Sequence, residues 1–204
     1  MVACGSKQQP EEASGIGAGD PYTGFIEVQV QPAGGRGWKR YGEGSAHFVD
    51  NDGGNARLVV FGAIDDGDGD AGFAVDGTFG EDGWRSESEG VVLEIARDGR
   101  ISGGGTIHPQ RFGFSGLATP TTFSLDVDLE LLEPGSPQLP AGSVFRFSYD
   151  LSRPPPRDDD EPAEAMADGR DADRKCRRIR YEMRPVANIG DGSMSMIQVP
   201  VCLK

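Results

Sequence analysis

Thirty-one of the 204 residues are glycine, and nowhere do apolar residues recur with a sustained helical period. Each Gly inside a helix costs about 1 kcal/mol relative to Ala, so a chain this rich in Gly is not built from helices. What recurs is alternation. In Phe25 to Gln31, Ile26, Val28 and Val30 share one face and polar residues fill the other, as in a half-buried strand. Similar runs follow at Ala46 to Val49, Arg57 to Ile64, Phe73 to Phe79, Val91 to Arg97, Arg111 to Ala118, Thr122 to Leu132 and Val144 to Leu151. Turn signals lie between them at Gly34-Gly35, Asp52-Gly53-Gly54, Asp82-Gly83 and Asp98-Gly99. Asp98-Gly99 predicts a two-residue hairpin loop, because both residues tolerate positive φ. The expected fold is all-β, an antiparallel meander forming a barrel or a two-layer sandwich; alternation alone does not choose between them.

The segment Gly42 to His47 is echoed by Gly103 to His108. Each is followed by an apolar strand, a turn and a strand opening on Phe, at Phe73 to Phe79 and Phe123 to Leu129. A repeated pair of hairpins accounts for the echo. The arrangement resembles small lipocalin-like or calycin-like barrels in style, without a diagnostic motif.

Composition divides the chain. Residues 1–20 are polar and Gly-rich and read as a flexible linker. Residues 21–204 read as a single β domain, interrupted at about 153–173 by an acidic, Pro-rich loop that carries too little apolar surface to order itself. At the C-terminus, Lys175 to Ile189 and Ser193 to Lys204 flank Gly190-Asp191-Gly192. Cys176 and Cys202 stand nearly symmetrically about that turn, so a disulfide-closed hairpin is expected. Closing a loop of this size would contribute roughly 2–4 kcal/mol. Of the three cysteines only Cys4 is then left over, and no CxxC or Cys/His spacing suits zinc.

Cys4 follows Val2-Ala3, which resembles the end of a bacterial lipoprotein signal peptide. Met1 stands where that family usually has Leu. The resemblance implies a lipid on Cys4 and a periplasmic protein held at the membrane by that anchor alone. Gly5-Ser6 lacks an aspartate retention signal, so by the same resemblance the outer membrane is expected.

The net charge of -13 argues against nucleic acid, whose phosphates would repel the chain, and suits a basic protein or a cation. In Asp65-Asp66-Gly67-Asp68-Gly69-Asp70, carboxylates alternate with glycines that let the backbone curl around a hard cation. Asp66, Asp68 and Asp70 are therefore candidate calcium ligands. The loop departs from an EF-hand, since Gly77 stands where the closing bidentate Glu belongs. No other cofactor is expected.

Catalytic signals are poor. His47 and His108 are the only histidines. Gly113-Phe114-Ser115-Gly116 lacks the spacing of a nucleophile elbow, and no phosphate loop or dinucleotide fingerprint occurs. The chain reads as a non-enzyme. A lipid anchor, a short linker and one disulfide-closed domain together resemble in layout the immunity lipoproteins of antibacterial secretion systems. That resemblance implies an inhibitor that neutralises a basic toxic effector enzyme. Its contacts would be Asp65, Asp66, Asp68 and Asp70, with the run Asp158, Asp159, Asp160 and Glu161. The alternatives are a lipocalin-like small-ligand-binding lipoprotein and a calcium-dependent structural envelope protein.

Overall fold

The computed structural model describes residues 16–17, 19–50, 54–65, 70–154, 179–188 and 194–202, the last two stretches as backbone. Twelve strands form one sheet: β1 Tyr22–Gln31, β2 Trp38–Asp50, β3 Asn55–Ile64, β4 Asp70–Gly80, β5 Gly83–Ser88, β6 Val91–Ala96, β7 Arg100–Ile107, β8 Gln110–Ala118, β9 Thr122–Leu131, β10 Val144–Ser152, β11 Ile179–Asn188 and β12 Met194–Cys202. The first ten pair antiparallel around a closed ring, β10 returning to β1 and β4 meeting β5. The fold is therefore a ten-stranded barrel, and the sandwich is excluded.

Closure is uneven. β4 and β5 are joined only at Thr78–Arg85, Phe79–Trp84 and Gly80–Gly83. Above that seam β4 turns its edge to β11, through Ala187 beside Phe73 and Asn188 beside Ala74. β12 meanwhile passes close to β2, so the β11–β12 hairpin lies across the outside of β3. Beneath it Val59, Phe61 and Ala74 form a second, outer apolar cluster. This explains why Leu58-Val59-Val60-Phe61 is continuously apolar: β3 is buried on both faces, whereas its neighbours alternate.

Register keeps parity around the whole ring. Ile26, Ala46, Val60, Phe73, Trp84, Leu93, Ile101, Phe114, Leu125 and Tyr149 all point inward and are buried in one core. The outer wall carries cross-strand ion pairs instead. Arg57 grips Asp76 with two bonds of 2.8 and 2.7 Å, Arg146 grips Asp128 with 2.7 and 3.0 Å, and Arg111 meets Glu130 at 2.9 Å. An apolar interior under a charged exterior is the reverse of a bilayer-spanning barrel.

One local expectation is corrected and a second finds no support. The loop at Asp98-Gly99 contains three residues, Arg97 to Gly99, and only Gly99 has positive φ. Gly99 donates its N–H to the Ala96 carbonyl at 2.8 Å, and Asp98 accepts the Arg100 N–H, so the side chain does part of the turning. The two-residue loop with both φ positive occurs at Glu89-Gly90 instead. In the C-terminal hairpin Cys202 opposes Ile179, and Cys176 and Cys4 lie outside the described residues. The described residues therefore give the disulfide-closed hairpin no support.

Candidate functional site

The two ends of the barrel differ. At the end where β1 begins, the interior is sealed. Tyr22 and Phe123 meet at 5.5 Å between ring centroids, and Leu151, Ala118 and Ile16 are buried beside them. The Tyr22 hydroxyl donates to the Thr119 carbonyl at 2.7 Å. Arg153, immediately after β10, lays its guanidinium 4.2 Å from the centre of the Tyr22 ring. It donates to the carbonyls of Pro120 at 2.6 Å and Asp20 at 3.1 Å. A delocalised cation over an aromatic face, with its N–H groups on backbone carbonyls, locks three chain segments together. Burial pushes the Tyr22 phenol up from its ordinary value, and the neighbouring Arg153 opposes that shift.

The opposite end is aromatic and only partly covered. Phe112, Phe145, Phe147, Ile64 and Ile107 are half-buried against the core there. Phe145 and Phe147 stack at 6.4 Å, and Phe112 stacks on Phe114 at 6.3 Å. Below them Phe114 meets Phe73 from the far wall at 5.9 Å. That contact makes a floor. Trp38, exposed to 39 %, stands on the inward side of β2 at the rim. Sequence reasoning missed these rings as a set, because which face of each strand is luminal depends on ring closure.

Glycines shape the interior where large rings need room. A Cβ on Gly77 would lie 2.5 Å from Trp84 Cζ2, so the seam admits that indole only with Gly opposite. The indole N–H donates to the Ala56 carbonyl at 3.1 Å and is satisfied.

Of the acidic positions singled out, Asp65 and Asp70 are exposed at the ends of β3 and β4, on the aromatic rim. Asp66, Asp68 and the run Asp158, Asp159, Asp160 and Glu161 lie outside the described residues. Among the described residues no group of three or more His, Cys, Asp or Glu is placed to hold a metal. The two histidines are not equivalent. His47 lies within β2 and opposes Val59, whereas His108 lies in the β7–β8 turn and faces Glu133 at 3.4 Å. Burial lowers the His47 pKa, and its Nδ1 is buried without a hydrogen-bond partner.

A further open, polar groove of about 680 Å³ lies on the outer wall beside the seam, lined by Arg57, Asp76, Arg85 and Glu87. Its charges pair with one another, Arg57 with Asp76 and Arg85 with Glu87. No protein-family model matches the sequence, and a search of curated proteins finds no match.

Proposed function

We propose that this protein is a ligand-binding barrel that takes a small apolar molecule into its aromatic end. The observation that carries this reading is the contrast between the two ends. One is stoppered by Tyr22, Phe123, Ile16 and Arg153, while the other presents half-buried phenylalanines above the Phe73–Phe114 floor. Rings left partly in water lose free energy that an apolar guest recovers, about 25 cal/mol per Å² covered. Eight strands give a barrel just wide enough to be filled or to hold one small ligand, and ten strands give a wider one. Nothing in this reading calls for catalysis or a cofactor.

The test is titration with the neutral fluorophore N-phenyl-1-naphthylamine. Saturable one-to-one binding is expected, and replacing Phe112 and Phe145 together with Ser should abolish it. Absence of saturable binding to folded protein would reject the reading.

The acidic rim favours a second reading, the inhibitor or immunity lipoprotein, because exposed Asp65 and Asp70 stand where a basic partner would approach. In that reading a lipid on Cys4 tethers the chain to the periplasmic face of the outer membrane, and Cys176 and Cys202 are joined. Intact-mass analysis of the processed protein and a non-reducing peptide map check both covalent features. A basic enzyme that loses activity at one equivalent, with an association rate slowed by Asp65→Asn and Asp70→Asn, would support the inhibitor. A melting temperature unmoved by a chelator would reject a calcium-dependent structural role.

A further inference from the structure

Ser86 is the second inward-facing residue of β5, two positions beyond Trp84 and directly opposite inward-facing Leu93. Only 1 % of it is exposed, and its Oγ is buried with no hydrogen-bond partner. The Tyr22 hydroxyl and the Trp84 indole N–H, by contrast, both reach backbone carbonyls. A buried hydroxyl left unpaired costs free energy that the fold would avoid with Ala, so it calls for a partner outside the chain.

Its position indicates that partner. The β4–β5 ladder ends at Thr78–Arg85, so Ser86 is the first inward side chain past the seam, where the wall lacks a β4 partner. Following directly opposed residues around the ring, Ser86 shares a row with Leu93, Gly103 and Phe114. Phe114 is half of the floor beneath the aromatic end. β5 runs from the stoppered end toward the aromatic end, so Ser86 lies on the rim side of Trp84, where a guest entering between the rim rings would meet it. Apart from Ser88, the next inward residue of β5, the inward residues around it are apolar and none is charged, so a charged headgroup would be costly to bury there.

Resting on the ligand-binding reading, we infer that Ser86 anchors the polar end of the guest, an elongated apolar molecule ending in an uncharged hydroxyl or carbonyl, which enters polar end first. The serine hydroxyl both donates and accepts, so either terminus satisfies it.

The experiment is displacement of bound N-phenyl-1-naphthylamine by decan-1-ol and by n-undecane, which match in length and differ in the hydroxyl. Ser86→Ala should lower the alcohol-to-alkane affinity ratio about five- to tenfold from its wild-type value, the worth of one neutral hydrogen bond. Undecane affinity should not change, and the unliganded variant should melt at or above the wild-type temperature. Ser86→Cys, nearly isosteric and a much weaker hydrogen-bonding group, should behave alike, so the result does not depend on one replacement folding. Ser86→Thr keeps the hydroxyl and should keep the wild-type ratio.

An unchanged alcohol-to-alkane ratio in the Ala and Cys variants, with fluorophore still bound, would overturn the anchor and leave the ligand-binding reading standing. A lowered melting temperature for unliganded Ser86→Ala would assign the hydroxyl to a structural water and also overturn it. Failure of folded wild type to bind fluorophore, alcohol or alkane would overturn the reading and the anchor together.

Discussion

Phe73 in β4 and Phe114 in β8 touch across the barrel interior, although β5, β6 and β7 separate them along the wall. Their contact joins opposite walls. On one side of it lie the fully packed Trp84, Ile95 and Leu125, and on the other the half-buried Phe112, Phe145 and Phe147.

Removing that floor should cost stability, whereas removing rim rings should cost binding. Phe114 is 5 % exposed, and Phe114→Ala should destabilise the barrel by about 3–5 kcal/mol through lost transfer energy and the cavity left behind. Phe145 is only half-buried, so Phe145→Ala should cost less than about half as much while weakening apolar-probe binding more. Urea unfolding read by circular dichroism, with probe titration on the same samples, separates the two effects.

The seam should be sensitive to a single methyl group. On Gly77 it would lie 2.5 Å from Trp84 Cζ2 and 2.6 Å from the Arg85 carbonyl oxygen, so backbone as well as ring must move. Gly77→Ala should destabilise by about 1–3 kcal/mol, the usual range for overpacking. With Trp38→Phe as background, the remaining indole, Trp84, should show red-shifted emission as the three-pair seam opens.

Much of the barrel is legible in the sequence, and what is not has definite physical causes. Strands with bulky inward residues, such as Ile26, Val28 and Val30 or Phe123, Leu125 and Val127, alternate visibly. β5 and β7 do not stand out. β5 turns Trp84, Ser86 and Ser88 inward, and β7 places Gly103 and Gly105 between Ile101 and Ile107, so the apolar mark is broken. Gly103, Gly104 and Gly105 have φ of 150°, 156° and 157°, which side chains rarely adopt, and the backbones of β6 and β8 come too close there to admit a Cβ. The Gly42 to His47 echo misleads because its halves lie at different heights, one within β2 and the other running out of β7 into a turn. Asp65 and Asp70 are legible as an acidic loop; their place on the aromatic rim required the closed ring.

Arg153 should be irreplaceable by Lys. Its Nε and one terminal nitrogen reach the Pro120 and Asp20 carbonyls, and its plane covers Tyr22, a geometry that a single ammonium cannot reproduce. Arg153→Lys and Arg153→Met should each destabilise by about 2–3 kcal/mol, since both leave carbonyls without donors. Hydrogen exchange should rise first at Arg153 and Ala118, whose amides donate to the Thr121 and Gly99 carbonyls. A Lys variant as stable as wild type would show that charge alone closes this end.

His47 should make stability fall as the solution is acidified. Its imidazole faces outward from β2 beside Val59, and burial lowers its pKa from the ordinary 6.5. The unfolded chain therefore takes up the proton first as pH falls, and protonation draws the equilibrium toward unfolding. The contribution is complete above the unfolded value near 6.5, declines as pH falls below it, and levels off once pH passes the lowered folded value. Asp76, held below the usual carboxylate range by its bonds to Arg57, adds stability that is lost only at lower pH, below about 4. Between about pH 7 and pH 5 the His47 term should therefore be visible on its own. His47→Leu should flatten that part of the stability profile, because the titrating group is gone. At about pH 7.5 it should cost little, since the neutral ring already buries an unpartnered Nδ1 that Leu lacks. Urea midpoints across the range decide the matter, and a slope unchanged in the Leu variant would assign the acid sensitivity to another group.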